Sequence, residues 1–205
     1  MAFNIKKIAI ATVTCLAIGG GAYYFMFKRG ASINDPNYGK PVDSLNGVIV
    51  YYNGAVGNVS ERNVAEDGYN IGLKYQCVEF VKRYYYEHYK HKMPDSYGHA
   101  KSFFDETLAD GVLSVKRDLL QFTNGSKSKP AIGDLLIFDG HIGNPYGHVA
   151  IVSAVTDNSI TIIQQNPGPN AQSRIDIPLV FENNKWTINI DRTLGWLRKE
   201  TSNNQ

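Results

Sequence analysis

A single helical stripe followed by short β runs sets the limits of what this chain can build. From Cys77 onward the apolar positions Phe80, Val81, Tyr84, Tyr85 and His88 recur at spacings of three and four, while Glu79, Lys82, Arg83 and Glu87 fall on the opposite side. That period predicts one amphipathic helix beginning at Cys77. Before it, the β-branched and aromatic run Val48 to Tyr52 lies between Gly47 and Gly54, which predicts a first strand. After it, "HAKSFFDETL" predicts a second helix, and "TNGSKSKPAIGD" reads as a long loop punctuated by Gly and Pro. The runs "LLIFD", "HVAIVSAV", "SITIIQQN" and "RTLGWLRK" then predict strands at short spacing. Helices ahead of an antiparallel meander imply an α+β fold, with N-terminal helices packed on one face of the sheet.

The chain of 205 residues holds one domain of ordinary size plus appendages, and 43% apolar composition suffices for a core. With 21 basic against 19 acidic residues, the net charge of +2 offers no field to attract nucleic acid, so that partner is not expected. Residues 1–30 read as a separate segment. Lys6 and Lys7 are followed by about twenty uncharged residues from Ile8 to Phe27 and then by Lys28 and Arg29, a length that spans a bilayer as a helix. The bulky edge from Tyr23 to Phe27 is unlike the small-residue exit of a cleaved signal. The expectation is a transmembrane helix over residues 8–27, with the domain on the periplasmic or extracellular side. Residues 31–39 read as a linker, 40–198 as the domain and 199–205 as a polar tail.

Cys77 is one of two cysteines, and Cys15 lies inside the apolar segment, so neither a disulfide framework nor a cysteine zinc site is available. A lone cysteine in a globular domain is usually a small core residue, and a helix start does not by itself overturn that reading, although free backbone N–H groups and the helix dipole stabilise a thiolate there. The nucleophile needs a base, which need not be near in sequence. His148 opens the strand "HVAIVSAV", and Asp157-Asn158 marks the turn that follows. A hairpin centred near Asp157 sets position 148 opposite Asn166 and position 150 opposite Gln164. His148 then has Asn166 across from it and Gln164 on the diagonal, roughly 5 to 8 Å away between backbones. Taken singly these are ordinary core or strand-end residues; together with a helix-start cysteine they form a catalytic constellation. The backbone N–H of Cys77, with Gln76 as a second donor, would hold an oxyanion. His99 and His141 are placed near the site as substrate contacts, and His88 and His91 at the surface. Asp139, His141 and His148 lack a compact ligand motif, so no metal or organic cofactor is expected.

The stretches "GVIVYYNG", "KYQCVEFVKRYYYEHY", "FTNGSKSKPAIGDLLIFD", "GHVAIVSAV", "QQN" and "LGWL", in that order over about residues 39 to 198, resemble the CHAP domains. These are cysteine- and histidine-dependent amidohydrolases/peptidases of papain-like fold, and the likeness is to the amidase domain of the bifunctional glutathionylspermidine synthetase/amidases. The resemblance implies a Cys77 nucleophile, a His148 base and a third polar group at Gln164, where that family usually has Glu. It also implies a substrate contact at position 82, where Lys82 replaces an expected arginine and lacks its planar fork. An amide orients an imidazole but does not stabilise its cation as a carboxylate does, so the change should slow rather than silence the site. The anchor points to peptidoglycan peptides as substrate. The alternatives are a glutathione–polyamine conjugate, or a CHAP-like binding module without catalysis.

Overall fold

The computed structural model describes residues 32–200. Strands β1 (Pro41–Leu45) and β2 (Val48–Tyr51) pair antiparallel, as do β3 (Arg62–Val64) and β4 (Asn70–Leu73). Helix α1 follows over Cys77–Tyr89. The remaining strands are β5 (Val112–Ser114), β6 (Leu119–Thr123), β7 (Leu135–Phe138), β8 (His148–Val155), β9 (Ser159–Ile163), β10 (Arg174–Glu182), β11 (Lys185–Ile188) and β12 (Thr193–Arg198). They form one eight-stranded antiparallel sheet in the order β11-β10-β9-β8-β7-β12-β6-β5.

Strand alternation divides the sheet's side chains between two cores. Leu135, Ile137, Val149, Ile151, Ile163 and Leu197 meet Phe80, Val81, Tyr84 and Tyr85 of α1. Leu136, Phe138, Ala150, Val152, Ile160, Ile162, Ile177 and Trp196 pack together in the second core. The polar side of α1 is also covered. Glu79, Lys82 and Arg83 are all buried, so the first two turns of the helix are enclosed on both sides. The close approach of β4 explains how: a Cβ on Gly72, at φ +142°, would stand 3.0 Å from the Glu79 Cα. Glycine is needed there for both space and backbone conformation.

The α+β expectation is corrected. Among the described residues the chain is mostly β with one α-helix. The stretch expected as a second helix forms only a 3₁₀ turn over Ala100–Phe103. Asp105 accepts hydrogen bonds from the backbone N–H and hydroxyl of Thr107, so the chain turns where a helix would have continued. No helix among the described residues is long and apolar enough to cross a membrane. The anchor over residues 8–27 lies outside the described residues. The structure therefore lends no support to a membrane-anchored, periplasmic or extracellular domain, and that expectation is withdrawn.

At the end of the sheet away from α1's start, Asp134 is almost wholly buried. It accepts from Arg198 at 2.8 and 2.7 Å and from the Ala131 N–H at 2.7 Å. Burial pushes its carboxyl up, against the Arg198 guanidinium and the Ala131 N–H, which pull it down. Removing one partner of such a buried pair strands the other. Asp134→Ala should cost about 3–5 kcal/mol, read as a shift in the urea unfolding midpoint at unchanged slope.

Candidate active site

The chain enters α1 through Tyr75, an aromatic residue in the left-handed region at φ +64°. Its ring is held against Tyr38 and Tyr51, each at 5.1 Å between centroids. Gln76 is the N-cap residue, but its side chain does not cap the helix. Its amide Nε2 donates instead to the Asn58 carbonyl at 2.7 Å and the Val56 carbonyl at 3.2 Å, and its Oε1 accepts from Asn166 at 2.8 Å. The first-turn N–H groups are thereby left to the cysteine sulfur. Burial pushes the partly exposed Cys77 thiol up, and the N–H groups of Val149, Val78 and Cys77 itself hold it down.

The N–H of Val149 is the second half of the arrangement. The last pair between β8 and β9 on this side is Ile151 with Ile163; β9 ends there and the chain turns away. The start of β8 thus packs against α1, and the backbone N–H of Val149, next to His148, helps hold the Cys77 thiol pKa down. The hairpin register is the expected one at Ile151/Ile163 and Val152/Ile162, with a bulge between Val152 and Ala154 nearer the turn.

His148 Nε2 lies 2.9 Å from Gln164 Oε1. The Gln164 Nε2 donates to the Gln172 carbonyl at 3.0 Å, which fixes the amide so that its oxygen faces the ring. An amide oxygen can only accept, so His148 Nε2 carries the proton and Nδ1 is the basic nitrogen. Burial pushes the His148 pKa down to about 4, and the bond to Gln164 offsets this only in part. Burial thus disfavours the charged form of both groups.

Asn166 does not join His148. It sits at φ +57°, out of the strand, and its Nδ2 bonds Gln76 Oε1 and the Val56 carbonyl. Gln76 has its side-chain N–H groups committed to carbonyls, so the Cys77 backbone N–H, which also acts on the sulfur, is left as the candidate oxyanion donor of the two. Lys82 is buried, donating to the carbonyls of Asn70 and Ser96 and lying 4.9 Å from the Tyr69 ring centroid. Burial, with Arg117 and Arg62 adding to it, brings its pKa down to about 8. It ties α1 to β4 rather than facing a ligand. His99 stacks on Tyr146 at 4.4 Å, and His141 lies exposed in the 139–147 loop, where Nδ1 accepts from the Gly143 N–H. His91, expected at the surface, is buried and bonds the Arg117 carbonyl at 2.9 Å. Among the described residues no cluster of His, Cys, Asp or Glu could hold a metal.

The residue that sequence reasoning missed is Gln165. It is fully buried; Nε2 donates to the Gln76 carbonyl at 3.0 Å and to Glu79 Oε2 at 2.9 Å, and Oε1 accepts from the Tyr51 N–H at 2.7 Å. The signal available was its position between two residues already singled out.

A thiol at a helix start, met by the N–H beside an imidazole whose tautomer is fixed by a side-chain amide, defines a cysteine amidohydrolase. The model of the CHAP domain family matches residues 67–166 of the chain. The bifunctional glutathionylspermidine synthetase/amidase of Escherichia coli (strain K12) is 34% identical over 151 residues, 66% of this chain and 23% of that protein. Trypanothione synthetase of Crithidia fasciculata is 27% identical over 147 residues, 67% of this chain and 22% of that protein. The chain therefore spans less than a quarter of these relatives. The crystal structure of Ly7917 overlaps 36% of this chain and 29% of its own, at 27% identity and a TM-score of 0.26, too partial to bear on the fold.

With the thiol raised and the imidazole neutral, iodoacetamide at pH 6 should alkylate Cys77 no faster than free cysteine. Gln164→Glu places a carboxylate on Nε2, raises the His148 pKa and favours the ion pair, so alkylation at pH 6 should accelerate. An unchanged rate would mean that residue 164 does not govern the imidazole.

Proposed function

We propose that the chain hydrolyses an amide bond through a Cys77 acyl-enzyme, and that its substrate is a small glutathione–polyamine conjugate. The observation that carries the chemistry is the chain of contacts from Gln172 through Gln164 to His148, beside a sulfur met by the Val149 N–H. The substrate reading draws on relatives named as glutathionylspermidine synthetase/amidase, and the CHAP domain model matches a stretch, 67–166, that contains the site. Peptidoglycan peptides drew their motive from the anchor, and no observation on the described residues favours them.

His148 acts as a general base from its neutral state. Nδ1 takes the thiol proton as the sulfur attacks the carbonyl carbon, and the Cys77 N–H receives the developing oxyanion. The imidazolium so formed gives its proton to the leaving amine. In the second half, Nδ1 takes a proton from water, whose oxygen attacks the thioester carbon and releases Cys77. Gln164 keeps Nε2–H directed away throughout, but supplies no countercharge to the imidazolium. That absence slows the step by about tenfold relative to a carboxylate, the worth of a charged over a neutral hydrogen bond.

Incubation of the chain with glutathionylspermidine, followed by mass spectrometry, should show glutathione and spermidine appearing. Cys77→Ser and His148→Ala should each abolish the products. Because the base must be neutral, kcat/KM should fall only as pH drops toward about 4, not near the ordinary histidine value of 6.5. Intact conjugate with active-fold protein would refute the substrate assignment.

A further inference from the structure

The side chain that meets His148 is an amide, and an amide has two unlike ends where a carboxylate has two equal ones. With Oε1 toward the ring, Gln164 accepts from the His148 Nε2–H and leaves Nδ1 bare. Turned over, its NH₂ would donate to a bare Nε2, and the ring proton would sit on Nδ1, the nitrogen that is to receive the Cys77 proton. Each arrangement makes one neutral hydrogen bond to the ring, so that bond alone separates them little in energy. The Gln172 carbonyl decides between them: it accepts from Gln164 Nε2 at 3.0 Å and would meet oxygen if the amide turned.

Gln172 sits in a loop with little packing to hold it. No residue from 167 to 173 is buried, and the loop borders an open cleft of about 110 Å³. At its far end the attachments gather at Ser173 and Arg174. The Ser173 carbonyl accepts from the Gln164 N–H at 2.8 Å, and its hydroxyl donates to Asp43 Oδ2 at 2.7 Å. Arg174 donates to both oxygens of the same carboxylate, at 3.0 and 3.3 Å, and to the Ser44 carbonyl at 2.7 Å. Asp43 belongs to β1, which pairs with β2 alone. Burial pushes its carboxyl up, but the bonds from Ser173, Arg174 and the Ser44 N–H outweigh this and hold it below the usual carboxylate range, so it is charged at neutral pH.

We infer that Asp43 is a positioning residue for the base: by pinning Ser173 and Arg174 it keeps the Gln172 carbonyl against Gln164 Nε2, and so keeps His148 in the tautomer whose Nδ1 is free. Its bearing on catalysis rests on the amidase reading above. With the clamp broken, the carbonyl no longer forbids the turned amide, and a turned amide leaves a ring that cannot take the thiol proton.

The ring-nitrogen signals of His148 test this in the full chain labelled with ¹⁵N-histidine, assigned by their loss in His148→Ala and read above the titration of the ring. The unmodified chain should show the Nε2–H form alone. Asp43→Ala should bring the Nδ1–H form to about half of the molecules, the outcome for two states of nearly equal energy, and kcat on the conjugate should fall about twofold at unchanged KM. In a Gln164→Glu background the same change should leave the Nε2–H form alone, since a carboxylate presents oxygen either way; a general loosening of the fold would not be so selective. Ser173→Ala deletes one bond while Arg174 keeps its own, and should give a smaller share of the Nδ1–H form; it decides alone should Asp43→Ala not fold. A single tautomer in both variants, or the same mixture in the Gln164→Glu background, overturns the inference. Mixed tautomers with the conjugate left intact by the unmodified chain keep the clamp and refute the amidase reading. Cleavage with one tautomer throughout does the reverse.

Discussion

The Gln165 side chain joins the three parts of the molecule that the chemistry needs together. One amide ties the end of β9 to the carbonyl that precedes Cys77, to Glu79 in the first turn of α1, and to the N–H of Tyr51 at the end of β2. Glu79 in turn holds Arg83 at 2.7 Å and accepts from Asn63 of β3 at 2.8 Å, while Arg83 reaches the Ile49 carbonyl. Every lone pair and N–H in such a buried knot must find its partner, because in a low-dielectric interior an unpaired one is penalised heavily. The polar face of α1 can therefore be enclosed without opening a gap to water.

That enclosure explains the placement of Cys77. A helix with one wet face can slide or tilt along its apolar stripe. Here Phe80, Val81, Tyr84 and Tyr85 are held by the sheet and Glu79, Lys82 and Arg83 by the smaller strand pairs. The axial position of the first turn is fixed from both sides, and the sulfur stays opposite the start of β8. Local strain at Tyr75 belongs to the same design, since a left-handed residue there is tolerated where the surroundings hold it.

What could be read from sequence was what depends on short-range pattern. The α1 stripe, the strand at Val48, and the β7 to β9 meander follow from periodicity and turn residues, and the Asp157-Asn158 turn set a register that brings Gln164 onto His148. What failed depends on partners distant in the chain. Asn166 was extrapolated along a strand that had already ended, and its left-handed backbone is decided by bonds to Val56 and Gln76, more than 80 residues away. Glu79, Lys82 and Arg83 look like a solvated face until β3, β4 and Gln165 cover them. Strands β1 and β3 were missed because polar residues leave little alternation to read, and β10, which alternates through Ile175, Ile177, Leu179 and Phe181, is interrupted by Pro178. The second helix was overread from "HAKSFFDETL", where Asp105 binds Thr107 locally instead of letting the helix continue.

The amide at position 164 separates two jobs that a carboxylate performs at once. Holding a tautomer requires an acceptor fixed in one orientation, and the Gln172 carbonyl supplies that fixing by occupying the amide nitrogen. Stabilising imidazolium requires charge, which the amide lacks, so the buried ring stays neutral down to about pH 4. A carboxylate at 164 would meet the Gln172 carbonyl with a second oxygen and lose that support. The loop that carries Gln172 is thus adapted to glutamine. The pair consequently works by proton transfer during attack, rather than from a thiolate formed in advance, and a resting thiol is also the less readily oxidised form of the cysteine.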